Sequence, residues 1–292
     1  MVKRFLMSGF WLMLLAAFIY AFADTLLKSL SSSFSAAEIG FIRFLLGGLI
    51  LWPILSSRGI SLRGNHPWIL ILRGLFGILS FFCMIKSFAM IPLSNAMVLF
   101  YTFPFFVAIF SFLLFREAIE KGELILIAVG LIGTYILINP SSHSFNMGYI
   151  FALLASCLGG MAMVLTRKAR ETNDPFIIYF YFCLVGGIFC FPFFVQGFRM
   201  PNVLQWIQLV SVSLILLIGQ ILMNQAFKFC KASEGSLILM SEIVFAGIAG
   251  VLIFYDPITP NFLVGGFLIV GSGVGLNLMR QKSRYFRVSL KS

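Results

Sequence analysis

The sequence predicts an all-α membrane protein of ten transmembrane helices, arranged as two inverted five-helix repeats with both termini in the cytoplasm. Three observations predict this fold: an apolar composition, ten apolar segments long enough to span a bilayer, and a partial match of the chain to itself. The 292 residues are 60% hydrophobic and 11% charged, with a mean hydropathy of +1.03. A soluble domain carries about 25% charged residues, so most of this surface must face lipid.

The apolar segments have the length of membrane spans. A transmembrane helix needs about 20 mostly apolar residues, and turn residues such as Gly64-Asn65 and Asn173-Asp174-Pro175 separate the segments here. No connection is longer than about a dozen residues, which leaves no room for a soluble domain. The predicted spans are 8–28, 36–56, 67–88, 94–115, 122–139, 147–167, 175–195, 204–227, 234–254 and 261–280.

Lysine and arginine are distributed unevenly between the connections. With the N-terminus placed inside, sixteen of the 21 lie on the inner side and three on the outer side, and the other two, Arg43 and Arg73, lie within spans. Cytoplasmic loops carry an excess of these residues, so the bias predicts cytoplasmic termini. It also accounts for the net charge of +11 without a nucleic-acid partner, which would require basic residues clustered on one solvated face.

The two halves of the chain match one another without gaps over much of their length. The run Leu45-Leu46-Gly47-Gly48 falls on Leu184-Val185-Gly186-Gly187, and with the same shift Pro53 falls on Pro192; we call this register the repeat alignment. Each half holds five spans, an odd number, so the halves are inverted relative to one another. Inverted repeats are typical of secondary transporters, whose site lies near the midplane between the halves. The predicted units are a first repeat at 1–139, a second at 147–280 and a basic cytoplasmic tail at 281–292.

Three charged residues interrupt the apolar spans. Arg43, Arg73 and Glu242 lie about 10–12 Å from the nearest surface at 1.5 Å per residue. A mid-helix charge costs about 2.5–3.5 kcal/mol on insertion and is retained where it faces a cavity or a partner. We expect all three at a substrate site. Glu242 is also a candidate for proton coupling, the alternative being a hydrogen-bonded carboxyl that exchanges no proton.

A second group of charges is predicted near the outer surface. Asp24, Lys28, Glu38 and Lys86 lie at a similar level and form a mixed cluster with Arg43. Such a cluster suits a zwitterion, whose carboxylate needs a base and whose ammonium needs an acid. Alternatively, Asp24 and Lys28 form a surface pair on one helix, and the lysines extend towards the interface.

Uncharged residues complete the candidate site. Tyr101 and Phe103, in the aromatic-rich span 4, are candidates to stack on a substrate, although most of the 35 phenylalanines must face lipid or other helices. Asn224 and Gln220, one turn apart in span 8, are neutral candidates, with interhelical hydrogen bonding as the alternative. Pro104 predicts a kink in span 4. No catalytic residue, metal site or cofactor is expected, and the five cysteines are interpreted as buried free thiols.

Several motifs resemble the EamA branch of the drug/metabolite transporter superfamily. They are 38–46 (EIGFIRFLL), 70–74 (LILRG), 88–96 (FAMIPLSNA) and 101–104 (YTFP). The resemblance implies a central cavity surrounded by spans 1–4 and 6–9, with spans 5 and 10 at the periphery. It also implies that Glu38 and Arg43 can form a structural pair bracing span 2. The second half departs from the pattern, with Phe182 at the position of Arg43, which points to an asymmetric site.

Together these features favour a secondary transporter of the inner membrane for small polar metabolites, with export of amino acids or related zwitterions preferred. One alternative is uptake of a nucleoside-like or vitamin metabolite such as S-adenosylmethionine. Another, from a different class, is an intramembrane enzyme or a receptor-like helper. The expected partners are a small-molecule substrate, the lipid bilayer, protons and a second copy of the chain through the glycine face of span 10.

Overall fold

The computed structural model describes residues 2–30, 33–91, 93–116, 120–139, 146–197, 200–254 and 259–289, and the chain is helical without β-strands across these ranges. In chain order the helices are α1 (Val2–Leu30), α2 (Ala36–Ser57), α3 (Pro67–Phe88), α4 (Leu93–Phe100), α5 (Phe103–Phe115), α6 (Lys121–Ile138), α7 (Met147–Ala169), α8 (Pro175–Gly197), α9 (Val203–Ala226), α10 (Ala232–Leu239), α11 (Ser241–Phe254) and α12 (Pro260–Ser289).

The apolar helices match the membrane class predicted from composition. Among the described residues, eight helical stretches are long and apolar enough to cross a bilayer, and shorter apolar stretches lie at Gly9–Asp24 in α1 and Pro260–Leu276 in α12. The all-α membrane class is thereby confirmed. The predicted tail at 281–292 begins as a continuation of α12, and its last three residues lie outside the described ranges.

Two predicted spans are broken near their middle. Span 4 is divided into α4 and α5 at Tyr101-Thr102, and span 9 into α10 and α11 at Met240. The repeat alignment places the first break on the second. Pro104 explains the first break because its backbone nitrogen carries no hydrogen and cannot donate a hydrogen bond to the preceding turn of the helix. The second break has no proline and was not predicted.

Helix packing repeats between the two halves. α3 packs on α7 as α1 packs on α9, and α5 packs on α7 as α1 packs on α11. α2 packs on its own counterpart α8, and α6 on its counterpart α12. Since α6 and α12 contact mainly each other, the remaining helices enclose the interior of the molecule.

Glycines allow the paired helices to approach closely. A Cβ atom added to Gly265 of α12 would lie 2.6 Å from the backbone oxygen of Gly133 in α6. One added to Gly186 of α8 would lie 2.6 Å from the ring of Phe44 in α2. Small residues permit such contacts in membranes, where van der Waals packing drives helix association. Part of the glycine face of span 10 therefore packs against α6 of the same chain.

Candidate functional site

A cavity of about 290 Å³ lies between the two halves. Every helix except α6 and α12 contributes to its walls, which is the arrangement implied by the family resemblance. Most of the lining residues are glycine or apolar residues. The polar ones are Tyr20, Arg43, Arg73, Ser80, Tyr101, Thr166, Gln220 and Glu242.

Arg73 is the most firmly held charge in the cavity. It is 4% exposed, and its Nε donates to Thr166 Oγ1 at 3.2 Å while Nη2 donates to Gln220 Oε1 at 2.9 Å. Its guanidinium carbon lies 4.0 Å from the ring centre of Phe182, a cation–π contact. Nη1 is buried and has no hydrogen-bond partner. These contacts fix the guanidinium in place while leaving both N–H groups of Nη1 unused.

Arg43 lines the same cavity from α2 with fewer contacts. Its guanidinium carbon lies 5.4 Å from the ring centre of Phe44, and its neighbours are Tyr20, Tyr179 and Cys183. Arg43 Nε and the Tyr179 hydroxyl are both buried without a well-aligned hydrogen bond. Among the described residues, no carboxylate forms an ion pair with either cavity arginine. Buried guanidinium groups that lack an ion pair and have unsatisfied nitrogens favour binding of an anion.

Two carboxyl groups from different halves lie near one another at the cavity. Glu242 in the first turn of α11 lines the cavity, and its carboxyl group interacts electrostatically with that of Asp24 on α1. α1 belongs to the first half of the chain and α11 to the second. The site therefore combines basic and acidic groups, as the predicted zwitterion requires. Arg43 and Asp24 belong to the predicted outer cluster, whereas Arg73 and Glu242 do not.

Aromatic residues surround the break in span 4. Phe100, Tyr101 and Phe103 line the cavity, with ring centres 5.7–6.0 Å apart. Thr102 Oγ1 lies 2.7 Å from the Leu99 carbonyl and 2.9 Å from Ser156 Oγ of α7. The break is thus tied to the second half, and it turns two predicted aromatic candidates towards the cavity.

Four predicted site residues are not among those that line the cavity: Asp24, which lies near Glu242, and Glu38, Lys86 and Asn224. Glu38 accepts hydrogen bonds from Ser35 N and Oγ at 2.7 Å in a capping box at the start of α2. Lys86 is exposed in the last turn of α3. Asn224 is fully buried and donates through Nδ2 to the Pro175 carbonyl at 3.1 Å. Glu38, Lys86 and Asn224 thus lie outside the cavity lining, and the side chain of Lys28, another member of the predicted outer cluster, lies outside the described residues.

The polar lining residues Tyr20, Ser80 and Thr166 and the ring of Phe182 were not among the predicted site residues. Gln220, predicted together with Asn224, does line the cavity. Tyr20 precedes Asp24 by four residues, which places both on one helix face and was a usable signal. Phe182 falls on Arg43 in the repeat alignment, but only the three-dimensional arrangement places its ring under Arg73.

A polar contact joins the two halves at the ends of α3 and α7, and we call Asn65, Thr172 and Asn173 the clasp. Asn65 N donates to Asn173 Oδ1 at 2.6 Å, Asn173 Nδ2 donates to the Asn65 carbonyl at 2.8 Å, and Asn65 Nδ2 donates to the Thr172 carbonyl at 2.7 Å. Arg170 supports it by donating to the Asn173 carbonyl at 2.7 Å. Burial lowers the pKa of Arg170, and Asp174 opposes that shift.

Comparisons with known proteins agree with this architecture. The profile of the EamA-like transporter family matches residues 7–139 and again residues 146–278. A protein of known crystal structure has a TM-score of 0.79 over 96% of this chain and 98% of its own, at 19% sequence identity, which supports the fold.

Relatives of known name are transporters. The pseudopaline exporter CntI of Pseudomonas aeruginosa is 29% identical over 95% of this chain and 98% of its own length. The S-adenosylmethionine uptake transporter of Rickettsia bellii is 24% identical over 85% of each chain. Mouse solute carrier family 35 member G1 is 25% identical over 93% of this chain and 78% of its own length. These names describe transporters and not enzymes, and they include bacterial proteins. This chain belongs to the EamA-like transporter family and is a multi-pass transporter of small molecules in the inner membrane.

Proposed function

We propose that this chain is a secondary transporter that moves amino acids or related zwitterions across the membrane by alternating access, with export as the favoured direction. The charge distribution of the cavity carries this proposal. Arg43 and Arg73 line it, and each has a buried guanidinium nitrogen without a hydrogen-bond partner, while the acidic residue Glu242 also lines it. A substrate carboxylate binds between the arginines while its ammonium group faces the acid, and the apolar walls exclude water.

The proposed architecture has ten spans in two inverted repeats, 1–139 and 147–280, with both termini cytoplasmic. The repeated packing, the matched breaks in spans 4 and 9 and the double family match support it. Discontinuous helices at corresponding positions of two halves are typical of transporters with a midplane site. The excess of lysine and arginine on one side supports the orientation.

Export is favoured because a relative named as an exporter is 29% identical and aligns with nearly the whole chain. Uptake of S-adenosylmethionine is the second candidate, since the Rickettsia relatives named for it are 21–24% identical. S-adenosylmethionine also carries a carboxylate, an ammonium and an aromatic base, for which Phe100 and Tyr101 offer stacking surfaces. Both candidates use the same two charged regions of the cavity.

A substrate screen in proteoliposomes tests the proposal. The panel contains the common amino acids and S-adenosylmethionine, each assayed in both directions. Arg43→Ala removes hydrogen bonds to a charged group worth about 1.5–3 kcal/mol, so we expect apparent affinity for the transported compound to fall about 10- to 100-fold.

Arg63→Ala is the matched control because Arg63 is exposed in the connection between α2 and α3, and its hydrogen bonds there involve backbone atoms. The apparent affinity of the Arg63→Ala variant for the transported compound should match that of the unaltered protein. Equal affinities for the two variants would remove Arg43 from the site. Transport restricted to compounds without a carboxylate would contradict the zwitterion assignment.

A further inference from the structure

We propose that an apolar groove between α2 and α8 binds an anionic phospholipid, with an acyl chain in the groove and the phosphate on Arg58. The groove has a volume of about 470 Å³ and is lined from Phe41 to Trp52 on α2 and from Phe180 to Phe191 on α8. It shares no lining residue with the substrate cavity. The proposal therefore does not depend on which solute the protein transports.

The groove opens on the surface that faces the bilayer. Leu49 and Ile188 stand on its opposite walls and are 61% and 72% exposed. Between them lie Gly48 and Gly187. A Cβ atom added to Gly187 would meet no atom within 4 Å, and one added to Gly48 would lie 4.0 Å from Cys183 Cβ. The glycines thus leave apolar space that no side chain of this chain fills, and in a bilayer an acyl chain fills it.

The groove has the same shape and chemistry at both ends. In the repeat alignment every lining residue of α2 falls on a lining residue of α8, and Gly48 falls on Gly187. The rings of Phe41 and Phe191, 5.8 Å apart, bound one end, and those of Trp52 and Phe180, 6.2 Å apart, bound the other. These two ring pairs are equivalent in the repeat. The apolar groove alone therefore does not select one leaflet.

Arg58 distinguishes the two ends. This exposed residue caps α2, and its guanidinium carbon lies 4.6 Å from the ring centre of Phe176 on α8. Phe176 precedes Phe180 by four residues, so both lie on one face of α8. Among the described residues, no acidic side chain forms an ion pair with Arg58. The repeat alignment places Gly197 at the position of Arg58 and Ala37 at that of Phe176, so this contact occurs at one end only.

The depth of Arg58 suits a lipid phosphate. The 22 residues of α2 extend about 33 Å at 1.5 Å per residue, close to the thickness of the hydrocarbon core at about 30 Å. Arg58 follows the last of them and so lies at the level of the head groups, about 9 Å beyond Trp52 along the helix axis. Guanidinium groups form charge-assisted hydrogen bonds with phosphate. The proposed orientation places this end at the cytoplasmic leaflet, where anionic lipids attract basic residues.

Filling the groove tests the acyl-chain part of the site. The delipidated protein in mild detergent is titrated with phosphatidylglycerol, and the bound lipid is counted by native mass spectrometry. Gly187→Leu places a side chain in the open space, so we expect the apparent affinity for the first bound lipid to fall about tenfold. Gly48→Leu is a second variant with the same expected result. Gly271→Leu is the matched control because Gly271 is exposed on α12 with no atom within 4 Å.

Replacing the arginine tests the head-group part. We expect the unaltered protein to prefer phosphatidylglycerol to phosphatidylethanolamine and Arg58→Ala to lose about fivefold of that preference. Lys168→Ala is the control, since Lys168 also lies over an aromatic ring, 5.3 Å from the centre of Phe115, but on α7. Equal lipid binding by Gly187→Leu and Gly271→Leu, or equal preference in Arg58→Ala and Lys168→Ala, would overturn the proposal. A dimer that Gly187→Leu converts to a monomer would also overturn it, because the groove would then hold a second copy of the chain.

Discussion

Arg43 and Arg73 lie in the same cavity but are held differently. Arg73 contacts Thr166, Gln220 and Phe182, from three different helices, whereas Arg43 has an aromatic neighbour at 5.4 Å and a buried Nε without a partner. A guanidinium held at several points loses little freedom on binding, and one with fewer contacts can adjust to its ligand. We therefore expect Arg73 to act as a fixed anchor for a substrate carboxylate and Arg43 as an adjustable one.

Asn224 provides a test that separates structure from binding. It joins α9 to the Pro175 carbonyl at the start of α8 and is fully buried. Asn224→Ala leaves that carbonyl without its donor, a loss of about 1–3 kcal/mol. We expect a lower melting temperature with an unchanged KM for the transported compound. A raised KM at an unchanged melting temperature would instead place Asn224 in the site.

The sequence identified the charges of the site better than their partners. Arg43, Arg73 and Glu242 stood out because a charge within an apolar span is costly and needs a polar environment. The electrostatic interaction between Asp24 and Glu242 joins residues far apart in the chain, and no local pattern predicts it. Glu38 was assigned to the outer cluster from its depth in the membrane. The spacing of Ser35 and Glu38 before an apolar run is the sequence pattern of a capping box, and it could have predicted the hydrogen bond between them.

The breaks in spans 4 and 9 lie at the cavity that is the candidate substrate site. Tyr101 and Glu242 both lie within two residues of a break, and both line the cavity. A helix break frees backbone groups and removes the stiffness of a continuous helix. Proline predicted the first break, while the second, at Met240, could be predicted only by carrying the first across the repeat alignment.

The clasp joins the two halves at a face of the molecule that must open if transport follows the proposed alternating access. Asn65 and Asn173 form two mutual hydrogen bonds, so Asn65→Cys with Asn173→Cys should form a disulfide under oxidation. We expect the crosslinked protein to lose transport in proteoliposomes and to regain it on reduction. The controls are the two variants that carry only one of the added cysteines, Asn65→Cys alone and Asn173→Cys alone. Full transport with the crosslink in place would show that this side of the molecule stays closed throughout the cycle.

At the scale of the whole molecule, the orientation makes a direct prediction. Sixteen of the 21 basic residues lie on the side assigned to the cytoplasm. A fluorescent protein that folds only in the cytoplasm, fused after Ser292, should therefore fluoresce, and alkaline phosphatase at the same position should be inactive. The reverse pattern would place the C-terminus outside and would require an odd number of spans or an inverted chain.

The global architecture was more predictable than its details. Hydropathy predicted the membrane helices and the repeat alignment predicted two related halves, because lipid demands long apolar segments, whereas the pairing of helices between the halves is seen only in the structure. Sequence could not reveal the shape of the cavity, since it depends on side chains such as Phe182 and Tyr20 that meet only after both halves have assembled.

Among the described residues, the clasp has no counterpart at the matching position of the other repeat. In the repeat alignment, Asn173 falls on Phe34 and Asn65 on Leu204, neither of which has a polar side chain. If the two halves were identical, the conformers open to either compartment would be equal in energy. Hydrogen bonds available to only one conformer remove that degeneracy. We therefore expect the empty carrier to rest with the clasped face shut, so that solute arriving from that side must wait for a thermally activated opening.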